Sequence, residues 1–171
     1  IVADMMQFEE APLFPHADGS SPDPKKAEAR LNRWEIDLSS NSGKINKNYL
    51  DDDIGEFPRL DERYSMLNYR HGFYASSIGD QPPGVSFNSV THIDHKTQIK
   101  DFYTLKNKED ALGEPIFVPS SKDSDEGEGY LIALAYRGKE NRSDLLIFNA
   151  MDVSSGPIAT AQLPHRIPYG F

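Results

Sequence analysis

Apolar and polar residues alternate with a period of two over much of the chain. Short β-rich runs are separated by Gly, Pro, Asn, Asp and Ser clusters at intervals of about ten residues. In Arg33-Trp34-Glu35-Ile36-Asp37-Leu38 the apolar Trp34, Ile36 and Leu38 fall on one side and the charges on the other; Tyr130, Ile132, Leu134 and Tyr136 share a side in the same way. The same reading predicts strands over 1–8, 44–49, 68–74, 85–94, 99–104, 114–118, 143–149 and 158–163. No segment sustains a helical stripe for three turns, and 24–30 has room for one or two at most. The predicted class is all-β.

A hairpin-like unit recurs. Trp34-Glu35-Ile36-Asp37 followed by Gly43-Lys44-Ile45 resembles Thr91-His92-Ile93-Asp94 followed by Thr97-Gln98-Ile99, and Leu146-Ile147-Phe148-Asn149 followed by Gly156-Pro157-Ile158. Each reads as a strand, a turn led by Asp37, Asp94 or Asn149, and a returning strand, because an Asx side chain can bond its own backbone two residues on. A spacing of about 55 residues is what blades of four antiparallel strands produce, although any antiparallel protein repeats hairpins. With blades of that size the chain supplies about three, fewer than the four to eight that close a ring.

Composition narrows the chemistry. The chain has 171 residues, a net charge of −9 and no Cys. The acidic balance argues against nucleic acid as a partner, and the absence of thiols excludes disulfide scaffolds, Cys-ligated zinc and thiol catalysis. No apolar run reaches the roughly 18 residues of a membrane span, so the expectation is a soluble, cytoplasmic protein, with membrane attachment left open. The chain opens at Ile1 without an initiator Met and stops at Pro168-Tyr169-Gly170-Phe171 inside a turn-like sequence, as a piece of a longer protein would.

Five histidines and several acids are the candidates. His92 and His95 are three apart on a strand and so face opposite ways, which is poor for one metal; His16 and His165 read as surface residues, and His71, alternating with Tyr69 and Phe73, as a structural inward residue. Asp51-Asp52-Asp53 and the acidic run over 123–129 read as loop charges, the second lacking the loop that an EF-hand needs for calcium. Glu56 and Glu114 each open an apolar or proline segment, where a carboxylate needs a partner. For either one that partner is Arg59 or Arg63 in an ion pair, or the ring N–H of a metal-bound histidine. There is no Gly-rich phosphate loop, nucleophile elbow or zinc His-Glu-x-x-His motif.

Six landmarks stand in order along the chain: Gly55-Glu56-Phe57-Pro58-Arg59-Leu60-Asp61-Glu62-Arg63; Tyr69-Arg70-His71-Gly72-Phe73-Tyr74; Gly113-Glu114-Pro115-Ile116-Phe117-Val118-Pro119; Asp125-Glu126-Gly127-Glu128-Gly129-Tyr130-Leu131; Leu145-Leu146-Ile147-Phe148-Asn149-Ala150; and Leu163-Pro164-His165-Arg166-Ile167-Pro168-Tyr169-Gly170-Phe171. Together they resemble the carotenoid cleavage oxygenase family, and most of all its bacterial and fungal branch that includes lignostilbene dioxygenases.

The resemblance implies a seven-bladed β-propeller, with residues 1–171 forming the C-terminal part of that single domain. It implies Fe(II) on the axis, held by four histidines that are braced by glutamates. It further implies cleavage, with O₂, of a conjugated carbon–carbon double bond in an apolar carotenoid, apocarotenoid or stilbene. Glu56 falls on one of the bracing glutamates, and Glu114 on a landmark with a structural role. None of His16, His71, His92, His95 or His165 matches an iron ligand; the family's last ligand would follow Phe171, and the chain alone is expected to be inactive. Two other readings stay open: a non-catalytic propeller that binds partners, and a family member that isomerises as the retinoid isomerases do.

Overall fold

The computed structural model describes residues 1–39, 43–79 and 87–168. Its strands are β1 (Val2–Gln7), β2 (Arg30–Ile36), β3 (Ile45–Leu60), β4 (His71–Ser77), β5 (Ser89–Asp94), β6 (Ile99–Thr104), β7 (Ala111–Leu112), β8 (Ile116–Pro119), β9 (Gly129–Arg137), β10 (Arg142–Asn149) and β11 (Ala159–Gln162). They form two antiparallel sheets. One is six-stranded in the order β1-β2-β3-β4-β5-β6, and the other runs β11-β10-β9-β7 with β8 also on β9. Residues 24–27 make a single turn, in which the Ala27 N–H donates to the Asp23 carbonyl at 3.0 Å.

All three repeated turns are built as the Asx reading requires. The carboxylate or amide oxygen of Asp37, Asp94 and Asn149 accepts the backbone N–H two residues on, from Ser39 at 2.9 Å, Lys96 at 2.9 Å and Met151 at 3.0 Å. The units correspond to the hairpins β2–β3, β5–β6 and β10–β11. They lie in two sheets, however, because β3 is one long strand that pairs first with β2 and then, from Ile54 onward, with β4.

The second half of β3 was hidden by its own composition. Three aspartates, Gly55 and Pro58 read as punctuation, yet Asp51-Asp52-Asp53 is strand, not loop. Lys100 explains the placement: its ammonium donates to Asp51 at 3.0 Å and to Asp53 at 2.5 Å, and the Tyr74 hydroxyl also donates to Asp51. These bonds draw the β1–β2–β3 end of the sheet over the face of β4–β6 that carries Tyr74 and Ile93, where Leu31, Met6 and Leu50 complete a small core.

The opposite face of β4 and β5 meets the second sheet. Phe73 and Val90 pack with Leu105, Leu112, Leu131, Ala133, Ala135, Leu146, Phe148, Ala150 and Val153. Both strands are therefore covered on both sides, which accounts for the burial of β5 throughout and of β4 as far as Ser76. In β9 the fully buried face is Leu131, Ala133 and Ala135, whereas Tyr130, Ile132, Leu134 and Tyr136 are only partly covered. Alternation located the two faces, but small residues occupy the inner one because the stacked Phe73 and Phe117 rings already fill the space between the sheets. Among the described residues no helix is long and apolar enough to cross a membrane.

Candidate functional site

Glu56 lies where β3 changes partner. Gly55 brings the strand close to β4: a Cβ there would stand 2.8 Å from the Tyr74 ring and 3.0 Å from the Ala75 carbonyl. Immediately beyond, the pairing slips between Glu56, opposite Ala75, and Arg59, opposite Phe73. Three steps along β3 match two along β4, which is a bulge, and bulges re-aim the side chains beside them. Glu56 is half-buried, and its Oε2 accepts the Phe57 N–H at 3.2 Å.

Neither arginine proposed for an ion pair meets it. Arg59 pairs with Glu114, tying β3 to the segment that enters β8, and reaches Glu62 at 4.0 Å. Arg63 is bound to Asp61, with Nη2 2.6 Å from its carboxylate. Among the described residues no cation pairs with Glu56 and no donor reaches its Oε1. Burial pushes its carboxyl above the usual glutamate range, and the single backbone bond from Phe57 offsets this only in part. The ion-pair alternative left open by the sequence is thus removed by the choice that each arginine makes. Glu114 is accounted for structurally by Arg59.

The histidines separate as their spacing required. His71 and His92 are buried together on one face of β4–β5, His71 Nδ1 lying 2.9 Å from His92 Nε2, and His92 stacks on Phe73. Burial lowers both, and with the neighbouring ring it brings His92 down to about 4, so the pair is neutral near pH 7. His95 faces the other way, with Nε2 3.1 Å from Asp4. His16 and His165 are exposed, His16 Nε2 standing 3.5 Å from Glu10. Among the described residues no group of three or more potential ligands could hold a metal ion.

The acidic run over 123–129 also has a partner that sequence alone did not reveal. The Arg63 guanidinium donates to the carbonyls of Ser121, Lys122, Ser124 and Asp125 at 3.0–3.3 Å. The loop wraps an organic cation where a calcium loop would wrap a metal.

A cleft of 720 Å³ opens beside the bulge, lined in part by Pro58, Leu60, Met66, Tyr69 and His95. At its polar end Asp4 accepts both Arg33 nitrogens at 2.7 Å, the Tyr69 hydroxyl and the His95 ring. Burial works against the Asp4 charge, but these donors hold its carboxyl well below the usual range. This cluster joins β1, β2 and the segments flanking β4 and β5. Its members are far apart in sequence and share no motif, so nothing short of the fold could have assembled them.

The sequence profile of the retinal pigment epithelial membrane protein family matches residues 1–171. The chain is 37% identical to isoeugenol monooxygenase from Pseudomonas nitroreducens, over 98% of this chain and 36% of that protein. It superposes on the crystal structure of Pseudomonas brassicacearum lignostilbene dioxygenase with a TM-score of 0.88 at 34% identity, covering 98% of this chain and 37% of that one. The cobalt-substituted apocarotenoid oxygenase of Synechocystis shares the fold, with a TM-score of 0.83 at 24% identity and coverage of 98% and 35%. The chain thus spans little more than a third of the length of these relatives. On the profile match over its whole length, set beside an all-β fold that superposes on a lignostilbene dioxygenase, the chain belongs to the carotenoid oxygenase family.

Proposed function

We propose that this chain is the C-terminal part of a seven-bladed propeller, and that the complete protein is a non-heme Fe(II) dioxygenase that cleaves a conjugated carbon–carbon double bond. The relatives named for isoeugenol and lignostilbene favour an aryl-substituted alkene or stilbene as the apolar substrate, with O₂ as co-substrate. A metal centre is favoured by the cobalt-substituted relative. Bound iron would supply the centre at which O₂ and the alkene meet.

One observation carries the reading of this stretch: a half-buried carboxylate, Glu56, has one oxygen satisfied by its own backbone and, among the described residues, no cation. Such a group fits the ring N–H of a metal-bound imidazole, which it would orient and make more basic. In this reading the part that the described residues play is to brace a ligand through Glu56.

The test is Glu56→Gln in the full-length protein. Iron retention and turnover are expected to fall about tenfold or more while the circular dichroism spectrum stays unchanged. Unchanged iron content and rate would leave Glu56 with a structural role only.

A further inference from the structure

Phe57 has a φ of 58°, in the left-handed region that is costly for a bulky side chain. Pro58 follows it and narrows its choices further. The residue lies inside the bulge, where β3 gains one position on β4. Strained backbone of this kind persists only where the surroundings over-determine it, and it gathers at functional sites.

Two contacts fix the conformation. The Phe57 N–H donates to Glu56 Oε2 at 3.2 Å, and its ring meets Phe87 edge to face, with centroids 5.9 Å apart and planes at 83°. Phe87 is itself tied to the second sheet, because its carbonyl accepts the Leu112 N–H at 2.6 Å. The next residue is anchored to the first sheet, Asn88 N–H donating to the Ser76 carbonyl at 3.1 Å. The chain from Leu112 through Phe87 and Phe57 to Glu56 is thus continuous in space. A glutamate side chain has several rotors, and anchoring one oxygen removes much of the freedom it would otherwise lose on meeting a partner.

We propose that Phe57 is a positioning residue: its left-handed backbone, held by Phe87, keeps Glu56 with Oε2 engaged on its own chain and Oε1 left to a single outside N–H donor. The inference rests on the reading of Glu56 as the partner of an iron-bound imidazole.

The experiment compares full-length wild type with Phe57→Gly, Phe57→Tyr, Phe87→Leu and Glu56→Gln. It uses the rate of iron release to a chelator and the visible absorption spectrum of the cobalt(II)-substituted protein. Glycine adopts the left-handed conformation readily but loses the ring, so Phe57→Gly is expected to speed iron release about tenfold and to shift the cobalt bands. Phe57→Tyr restores both, and Phe87→Leu moves both in the direction of Phe57→Gly. Should Phe57→Gly fail to fold, Phe87→Leu carries the same test without touching Glu56 or the bulge. Wild-type release and spectrum in the Phe57 and Phe87 variants, with faster release in Glu56→Gln, would overturn the role of Phe57 while leaving Glu56 its function. Wild-type behaviour of Glu56→Gln as well would remove the reading of Glu56, and the proposal with it.

Discussion

His71 Nδ1 and His92 Nε2 lie 2.9 Å apart in a buried site, so at least one of the two rings must be neutral for the pair to hold. The His92 ring titrates near 4 in the fold against an ordinary 6.5, chiefly through burial and then through His71. The unfolded chain therefore takes up a proton at higher pH than the fold does. The contribution of the pair is whole above about pH 6.5 and is lost as the pH falls toward 4, a loss on the order of 3 kcal/mol. Asp4 and Asp94, held well below the usual carboxylate range, lose their contributions only at lower pH, below about 3.8. Urea denaturation of the metal-free full-length protein between pH 7 and pH 4 checks this. The stability slope over that window should flatten in His92→Phe.

Arg63 fills the loop over 121–125 and neutralises Asp61, whose side chain is only 1% exposed. Arg63→Ala strands the carbonyls and leaves that carboxylate to backbone N–H donors alone. The unfolding midpoint is expected to fall, with faster amide exchange across 121–128. Millimolar calcium should leave the wild-type midpoint unchanged, since the carbonyls already have their cation.

The family resemblance places an iron-ligating histidine directly after Tyr169-Gly170-Phe171, residues that lie outside those the structure describes. Sequencing the gene beyond Phe171 is expected to give a histidine codon next. Any other residue there would contradict the proposed ligand.

Much of this architecture was legible because it is local. Period-two alternation located most of the strands, β6 over its full predicted range, and a single Asx side chain sets each repeated reversal. What escaped depends on contacts between distant segments. Asp51 and Asp53 are strand residues only because Lys100 lies across from them, and β7 is two residues whose pairing with β9 leaves no periodic trace. Glu56 was visible as an acid in need of a partner, but that no cation among the described residues pairs with it follows from Arg59 choosing Glu114 and Arg63 choosing Asp61. Phe57 looked like ordinary apolar sequence, since an aromatic residue before proline carries no signal of a left-handed backbone.

The order β1 to β6 has a consequence for how the molecule is made. Each strand of that sheet pairs with the one synthesised just before it, and β10 and β11 extend the second sheet in the same way. A segment leaving the ribosome therefore finds its hydrogen-bonding neighbour already present, the longest connection in that sheet being residues 8–29 between β1 and β2. Two contacts skip over the nearest strand, β7 onto β9 within the second sheet and Arg59 to Glu114 between the two sheets. A sheet assembled in this manner grows outward from finished hairpins, with a single strand at its advancing edge.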